Sequence, residues 1–335
     1  MPDAIQTTAQ PDYVQVQPDT CHLQPFLCQD AQMYGFFLEG NQTALQALVD
    51  QRLNTPRGAD AMQYRVCVPP NSKIPLVMLT FTLVARGSST QLPDSDMGYI
   101  PETSCTFWVL LSRMVRRSGP LEIAYTCFAP FIIADNCFSV CAGREIYGFP
   151  KQQGAFGAWP PAVNGGMDPA PDSLNVNADA LFGYNPGNAA MRQNLVRIVK
   201  QPGGSIQKPP PVNFSDILNF WGATGTEGWS GMDLVFLKQF RDAANGKKAC
   251  YQAVIEAPMT LTSEVSLQAL SAQYRIAITH LESHRLAQQM GFTGDEEPLH
   301  LGLLVTPVSF LGCDGFCASF SWISGNGTVV WSAGS

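Results

Sequence analysis

Side chains able to do chemistry are spread unevenly along this 335-residue chain. His280 and His284 lie four apart, a spacing that puts two imidazoles on one helix face and could hold a metal. The run is His-Leu-Glu-Ser-His, with the glutamate misplaced for metal-assisted hydrolysis and no evident third ligand, so surface histidines are expected. The ten cysteines include two C-x3-C pairs, Cys137/Cys141 and Cys313/Cys317, whereas structural zinc sites use tighter pairs. All these thiols are expected to be free and to pack as small hydrophobes. With four histidines and no Gly-x-Ser-x-Gly elbow, no Ser/His/Asp arrangement can be assembled. The glycine-dotted stretch 222–231 lacks the Lys-Ser/Thr of a phosphate loop and reads as a plain loop. There remains Lys151, set just beyond a Gly148-Phe149-Pro150 helix stop.

The segment leading to it, Gly143-Arg144-Glu145-Ile146-Tyr147-Gly148-Phe149-Pro150-Lys151, resembles the Gly-Arg-Glu-Leu-x-x-Tyr-Pro-Lys signature of the acetoacetate decarboxylase family. Tyr99 to Ser104 is similar to the family's stretch with an active-site glutamate. Leu234–Lys238 and Ala249–Pro258 are similar to its later strand pair, so the resemblance runs from about Tyr34 to the C-terminal strands. It implies that Lys151 forms a Schiff base with a substrate carbonyl and that Glu102 handles the proton or orients the carbonyl. Condensed with a ketone, the amine gives an iminium, which accepts the electron pair released when a β-keto acid loses carbon dioxide; acetoacetate decarboxylase is the type case of such a lysine. The amine must be unprotonated to attack, yet an ordinary lysine has a pKa of about 10.4. Burial would have to lower it, against a helix C-terminus that favours the ammonium by up to ~1 kcal/mol. The substrate-binding neighbours expected are Tyr147, Phe149, Gln152, Phe156 and Trp159, with Phe149, Pro150, Phe156 and Trp159 as apolar walls.

The match has three gaps. Gln152 stands where the family commonly has a second lysine, and no arginine matches the one that meets the substrate carboxylate, since no lysine or arginine precedes Arg52. Leu76–Ala85, where a second glutamate would fall, offers Thr80 and Thr82. The expected activity is thus a decarboxylase-type carbon–carbon lyase acting through Lys151 on a β-keto acid or a larger ketone intermediate of a biosynthetic pathway. The alternative is non-covalent ligand binding, or cyclisation, dehydration or aldol chemistry, on the same scaffold. Neither a cofactor nor a metal is expected.

Several elements must position these residues. Helices are expected over Asn41–Leu53, capped by Asn41 or Thr43, over Asp135–Tyr147, over Ser215–Trp221 and near Glu282–Met290. Strands are expected at Gln63–Val68, Leu76–Ala85, Cys105–Leu111, Glu122–Phe128, Leu234–Phe240, Ala249–Leu261, Leu303–Phe310, Phe316–Ile323 and Thr328–Trp331. Residues 152–175 and 201–212 read as loops, and Asn245-Gly246 as a turn between strands. Residues 1–30, with little periodicity, read as an N-terminal arm ahead of one domain over 31–335.

Charged residues make up only 14% of the chain, against roughly 25% in ordinary soluble domains, and the net charge is −7. That balance excludes a nucleic-acid partner, which needs a basic face; Arg113, Arg116 and Arg117 read as a solvated loop. No apolar run is long enough for a membrane span and the first residues form no signal peptide, so a cytoplasmic protein is expected. Composition points to an α+β, β-dominated fold. The resemblance implies a cone-like antiparallel β-barrel with peripheral helices, a small-molecule carbonyl substrate and a homo-oligomer.

Overall fold

The computed structural model describes residues 12–14, 21–58, 63–68, 72–116, 121–205, 231–297, 301–308 and 313–333. The chain order is β1 Phe26–Glu39, α1 Gln42–Val49, α2 Thr55–Arg57, β2 Arg65–Val66, β3 Leu76–Ser89, β4 Ile100–Arg116, β5 Leu121–Ala134 and α3 Cys137–Ala142. Then come β6 Lys151–Phe156, β7 Ser173–Ala180, β8 Met191–Ser205, β9 Gly231–Arg241, β10 Ala249–Leu261, β11 Ser266–Ala269 and β12 Ala272–Thr279. The last are α4 Leu286–Met290, β13 Asp295–Glu296, β14 Gly302–Val305, β15 Phe316–Ser324 and β16 Thr328–Ser332.

Seven of these strands close on themselves. Pairing runs β5-β9-β10-β15-β1-β3-β4, and β4 pairs back onto β5. An odd ring cannot alternate direction all the way round, and the mismatch falls at a single parallel contact, Cys127 with Leu234 on β5 and β9. The other ring pairings are antiparallel. A second sheet, β6-β7-β8-β12-β14-β13, branches from β5 through a parallel register that sets Ile132 opposite Lys151. The fold is the β-dominated barrel expected, antiparallel except at these two contacts.

The pleat divides the apolar side chains between two cores, because successive residues of a strand point to opposite faces. Phe37, Met78, Leu110 and Phe236 belong to one cluster, within the ring. Their neighbours Phe36, Val77, Leu111 and Val235 belong to the other, under the helices and the second sheet. With both faces covered, β3 is buried over nearly its whole length, which accounts for its unbroken Leu-Val-Met-Leu-Thr-Phe-Thr-Leu run.

Several expectations need correction. β1 starts at Phe26, inside the residues expected to form an arm, because it pairs with β3 and β15 on both sides. Residues 152–156 are strand in β6 and 173–175 strand in β7, the latter paired with β8, which runs on to Ser205. Arg113 lies within β4 and pairs with the half-buried Glu256 rather than with solvent. The Gln63–Val68 strand shrinks to Arg65–Val66, and the late helix to α4. Cys137 and Cys141 are exposed, since α3 turns them outward; Cys313 and Cys317 are buried, and all ten thiols are free. Asn41 caps α1 by accepting from the Ala44 N–H. Ser215–Trp221 lies outside the described residues, as does 222–230. Among the described residues no helix is long and apolar enough to cross a membrane.

Candidate active site

Lys151 is fixed from both sides. After α3 the chain makes one π-helical turn, Gly143–Tyr147, and leaves it through Gly148 at φ 78°. A Cβ at Gly148 would lie 2.5 Å from the Cα of Lys238, so both backbone angle and space demand glycine there. The Phe149 N–H then donates to the Gly143 carbonyl at 3.0 Å, and the Lys151 N–H to the Phe149 carbonyl at 2.7 Å. Arg144 Nη1 donates to the Lys151 carbonyl at 3.0 Å. Gly143 contributes differently, since its missing side chain leaves room for the lysine stem, whose Cδ would be 3.0 Å from a Cβ placed there.

Glu102 comes from β4, where it pairs with Val84 of β3. The Lys151 Nζ donates to Glu102 Oε2 at 2.8 Å. Ser139, on α3, joins them: its Oγ accepts from Lys151 Nζ and donates to the same Glu102 oxygen. The lysine and glutamate side chains are 11% and 16% exposed, so this pair is largely out of water. Lys151 Nζ also sits 5.9 Å from the centroid of the Phe149 ring.

The three groups open onto a cavity of about 180 Å³ inside one end of the ring. Every ring strand contributes to its wall: Cys28, Thr82, Trp108, Ile132, Leu234, Met259 and Trp322 are one residue from each. Apart from the Lys151–Glu102–Ser139 group the lining is mostly methionine, aromatic and aliphatic. Burial, and then the charge of Glu102, push the Cys28 thiol far above the ordinary range, with Lys151 acting the other way, so Cys28 is a protonated wall residue. Such an arrangement can hold a carbonyl carbon against an amine with a carboxylate and a hydroxyl beside it.

The structure brings together Lys151, Glu102, Tyr147 and Phe149 of the expected site residues. Tyr147 and Phe149 stack at 4.9 Å, and the Tyr147 hydroxyl donates to the carbonyls of Ser324 and Gly325. Burial raises that phenol well above its usual pKa, so it stays a neutral donor. Gln152, Phe156 and Trp159 are not part of the cavity wall. The pleat of β6 turns 152, 154 and 156 away from the face of Lys151. Gln152 bonds the Asp179 carbonyl and His284, Phe156 packs edge-on against Phe81, and Trp159 lies against Tyr34 and donates to Gln32. A lysine at 152 would face that second sheet as well. Ser139 went unnoticed in the sequence; its place six residues after the last Ile of β5 carries no motif.

The remaining candidates fall elsewhere. His280 pairs with Glu296, while His284 is buried between Ser283 and Gln152, and burial lowers its pKa. Among the described residues no group of three or more His, Cys, Asp or Glu could hold a metal ion. Thr82 lines the cavity and Thr80 accepts the Trp108 N–H at 3.0 Å, at the positions where an acid was sought.

No family model matches the sequence, and no curated protein matches it. Solved structures do. An acetoacetate decarboxylase superposes with a TM-score of 0.50 at 12% identity, over 95% of this chain and 94% of that one. The acetoacetate decarboxylase of Legionella pneumophila does so with a TM-score of 0.50 at 12% identity, over 98% of this chain and 94% of its own. At that identity the likeness is one of architecture, and it extends over nearly the whole length of each chain. The chain has the acetoacetate decarboxylase fold.

Proposed function

We propose that this chain is a Schiff-base-forming enzyme that breaks a carbon–carbon bond beside the carbonyl of a large, mainly apolar substrate. The observation that carries this is the amine of Lys151, enclosed in an apolar cavity and in contact with Glu102 and Ser139. Glu102, directly or through Ser139, takes a proton from the amine, and the free lone pair attacks the carbonyl carbon. Loss of water leaves an iminium. The bond at the α-carbon then breaks, its electron pair forms a carbon–carbon double bond, and the iminium nitrogen becomes neutral as an enamine. Carbon dioxide leaves if the substrate is a β-keto acid, and Glu102 takes up a proton from water; an aldehyde leaves if it is a β-hydroxy ketone, its hydroxyl proton passing to Glu102. Glu102 protonates the α-carbon, and water returns the ketone and the free lysine.

A second reading is a cavity that binds or cyclises an apolar ligand without a covalent bond. It is favoured by the absence of any arginine or second acid among the described lining residues. Reductive trapping with cyanoborohydride separates the two. Incubation with medium-chain ketones should add a reduced adduct on Lys151, seen by intact mass and peptide mapping, and Lys151→Ala should show none. Full turnover by Lys151→Ala would end the covalent reading.

A further inference from the structure

The segment ahead of β1 delivers an imidazole to the same cavity. His22 is 6% exposed and lines the wall with Lys151, Glu102 and Ser139. Its ring stands edge-on to Phe138, the neighbour of Ser139, at 6.2 Å between centroids. The main chain on its C-terminal side is tied down: the Leu23 N–H donates to the buried Asp94 carboxylate at 2.6 Å, and Thr90 donates its N–H to the Pro25 carbonyl at 3.0 Å. Yet Nδ1 of His22 is buried with no hydrogen-bond partner among the described residues. Buried ring nitrogens are normally paired, and leaving one unpaired costs the desolvation of that group. The ring borders the cavity, and this buried nitrogen gains a partner if the ring turns to meet a ligand atom there.

The charge of the cavity narrows what that atom is. Lys151 is the single lysine or arginine, and Glu102 the single acid, among the described lining residues, and the two are paired with each other. A substrate carboxylate would be buried with no cation of its own and near Glu102, which is costly. A neutral oxygen needs only a hydrogen bond.

We propose that His22 is a specificity-determining residue that binds a second, neutral oxygen of the substrate, so that the preferred substrate class is an apolar ketone bearing a hydroxyl or a further carbonyl rather than a free acid. This rests on the Schiff-base reading for the identity of the first carbonyl. The test uses three probes of one chain length: methyl heptyl ketone, its β-hydroxy analogue and the corresponding keto acid. Half-saturation of trapping on Lys151 is read by intact mass, and binding of the same probes is read by calorimetry on Lys151→Ala without reductant, where the hydroxy ketone is not cleaved. The β-hydroxy ketone should half-saturate at about a tenth of the concentration of the plain ketone, as one buried hydrogen bond provides, and the keto acid should be weakest.

His22→Phe keeps the ring against Phe138 and removes the nitrogen, and should bring the ratio between the two ketones close to one. His22→Asn should restore part of it, with melting curves confirming that both variants are folded. A preference that survives His22→Phe, or a keto acid that binds best, overturns the inference. Calorimetry that shows the ordering while nothing is trapped on Lys151 leaves His22 its role and removes the Schiff base. An adduct on Lys151 with no preference among the ketones does the reverse.

Discussion

The amine of Lys151 and the carboxylate of Glu102 meet at 2.8 Å although 49 residues separate them in the chain. They come from β6 and β4, the two strands that flank the end of β5. Main-chain pairing on either side of one strand, rather than a local motif, sets this contact. Glu102→Gln keeps the shape and removes the base. It should lower turnover by between about a hundredfold and ten-thousandfold, the usual range for a lost acid–base group. The reductive adduct should still form with prolonged incubation, which steady-state rates and end-point mass spectra would together show.

Ser139 bridges the pair, accepting from the amine and donating to the acid. Ser139→Ala should slow trapping by about tenfold, the worth of one hydrogen bond to a charged group. A shift in the pH profile of trapping should accompany it, and Ser139→Thr should recover part of the rate. A purely structural role would leave the pH profile where it is.

Gly148→Ala should destabilise the fold by at least about 1 kcal/mol, because its φ of 78° is unfavourable for any side chain. The new methyl group would also meet the backbone of Lys238. Since the same turn sets the start of β6, adduct formation should fall along with the denaturation midpoint. Gly143→Ala touches the stem of Lys151 and should slow trapping with a smaller change in stability.

His284 predicts a dependence of stability on pH. Burial holds its pKa below the ordinary value, so the folded chain resists protonation there. Above about pH 6.5 both folded and unfolded chains have a neutral imidazole, and the stability due to this group is complete. As pH falls below that, the unfolded chain takes up the proton first, and stability is lost until the lower folded pKa is passed. Denaturation midpoints at about pH 7.5 and about pH 5.5 should therefore differ more in the native chain than in His284→Gln.

Much of the frame was legible in the sequence, and for physical reasons. The β-branched and aromatic runs at Leu76–Ala85 and Ala249–Leu261 became β3 and β10, the latter with the bounds expected. Gly148-Phe149-Pro150 ended its helix because the left-handed angle admits few residues but glycine. The site was legible where a residue's neighbours in sequence are also its neighbours in space, as with Tyr147, Phe149 and Lys151. It was illegible where strand parity decides. Phe156 and Trp159 have the right chemistry for a wall, but β6 turns the one outward and ends before the other. Ser139 and His22 reach the cavity through tertiary packing, and a lone serine or histidine announces nothing by its type.

The β4–β5 pairing that shuts the ring of seven strands has an evolutionary side. Hydrogen bonds between peptide groups hold each strand to the next, and those bonds are indifferent to which side chain each peptide carries. Selection could therefore exchange the side chains of the lumen without disturbing the vessel. A shape can in this way outlast nearly all the letters that first spelled it, and new substrates can be tried in a container that does not need to be reinvented.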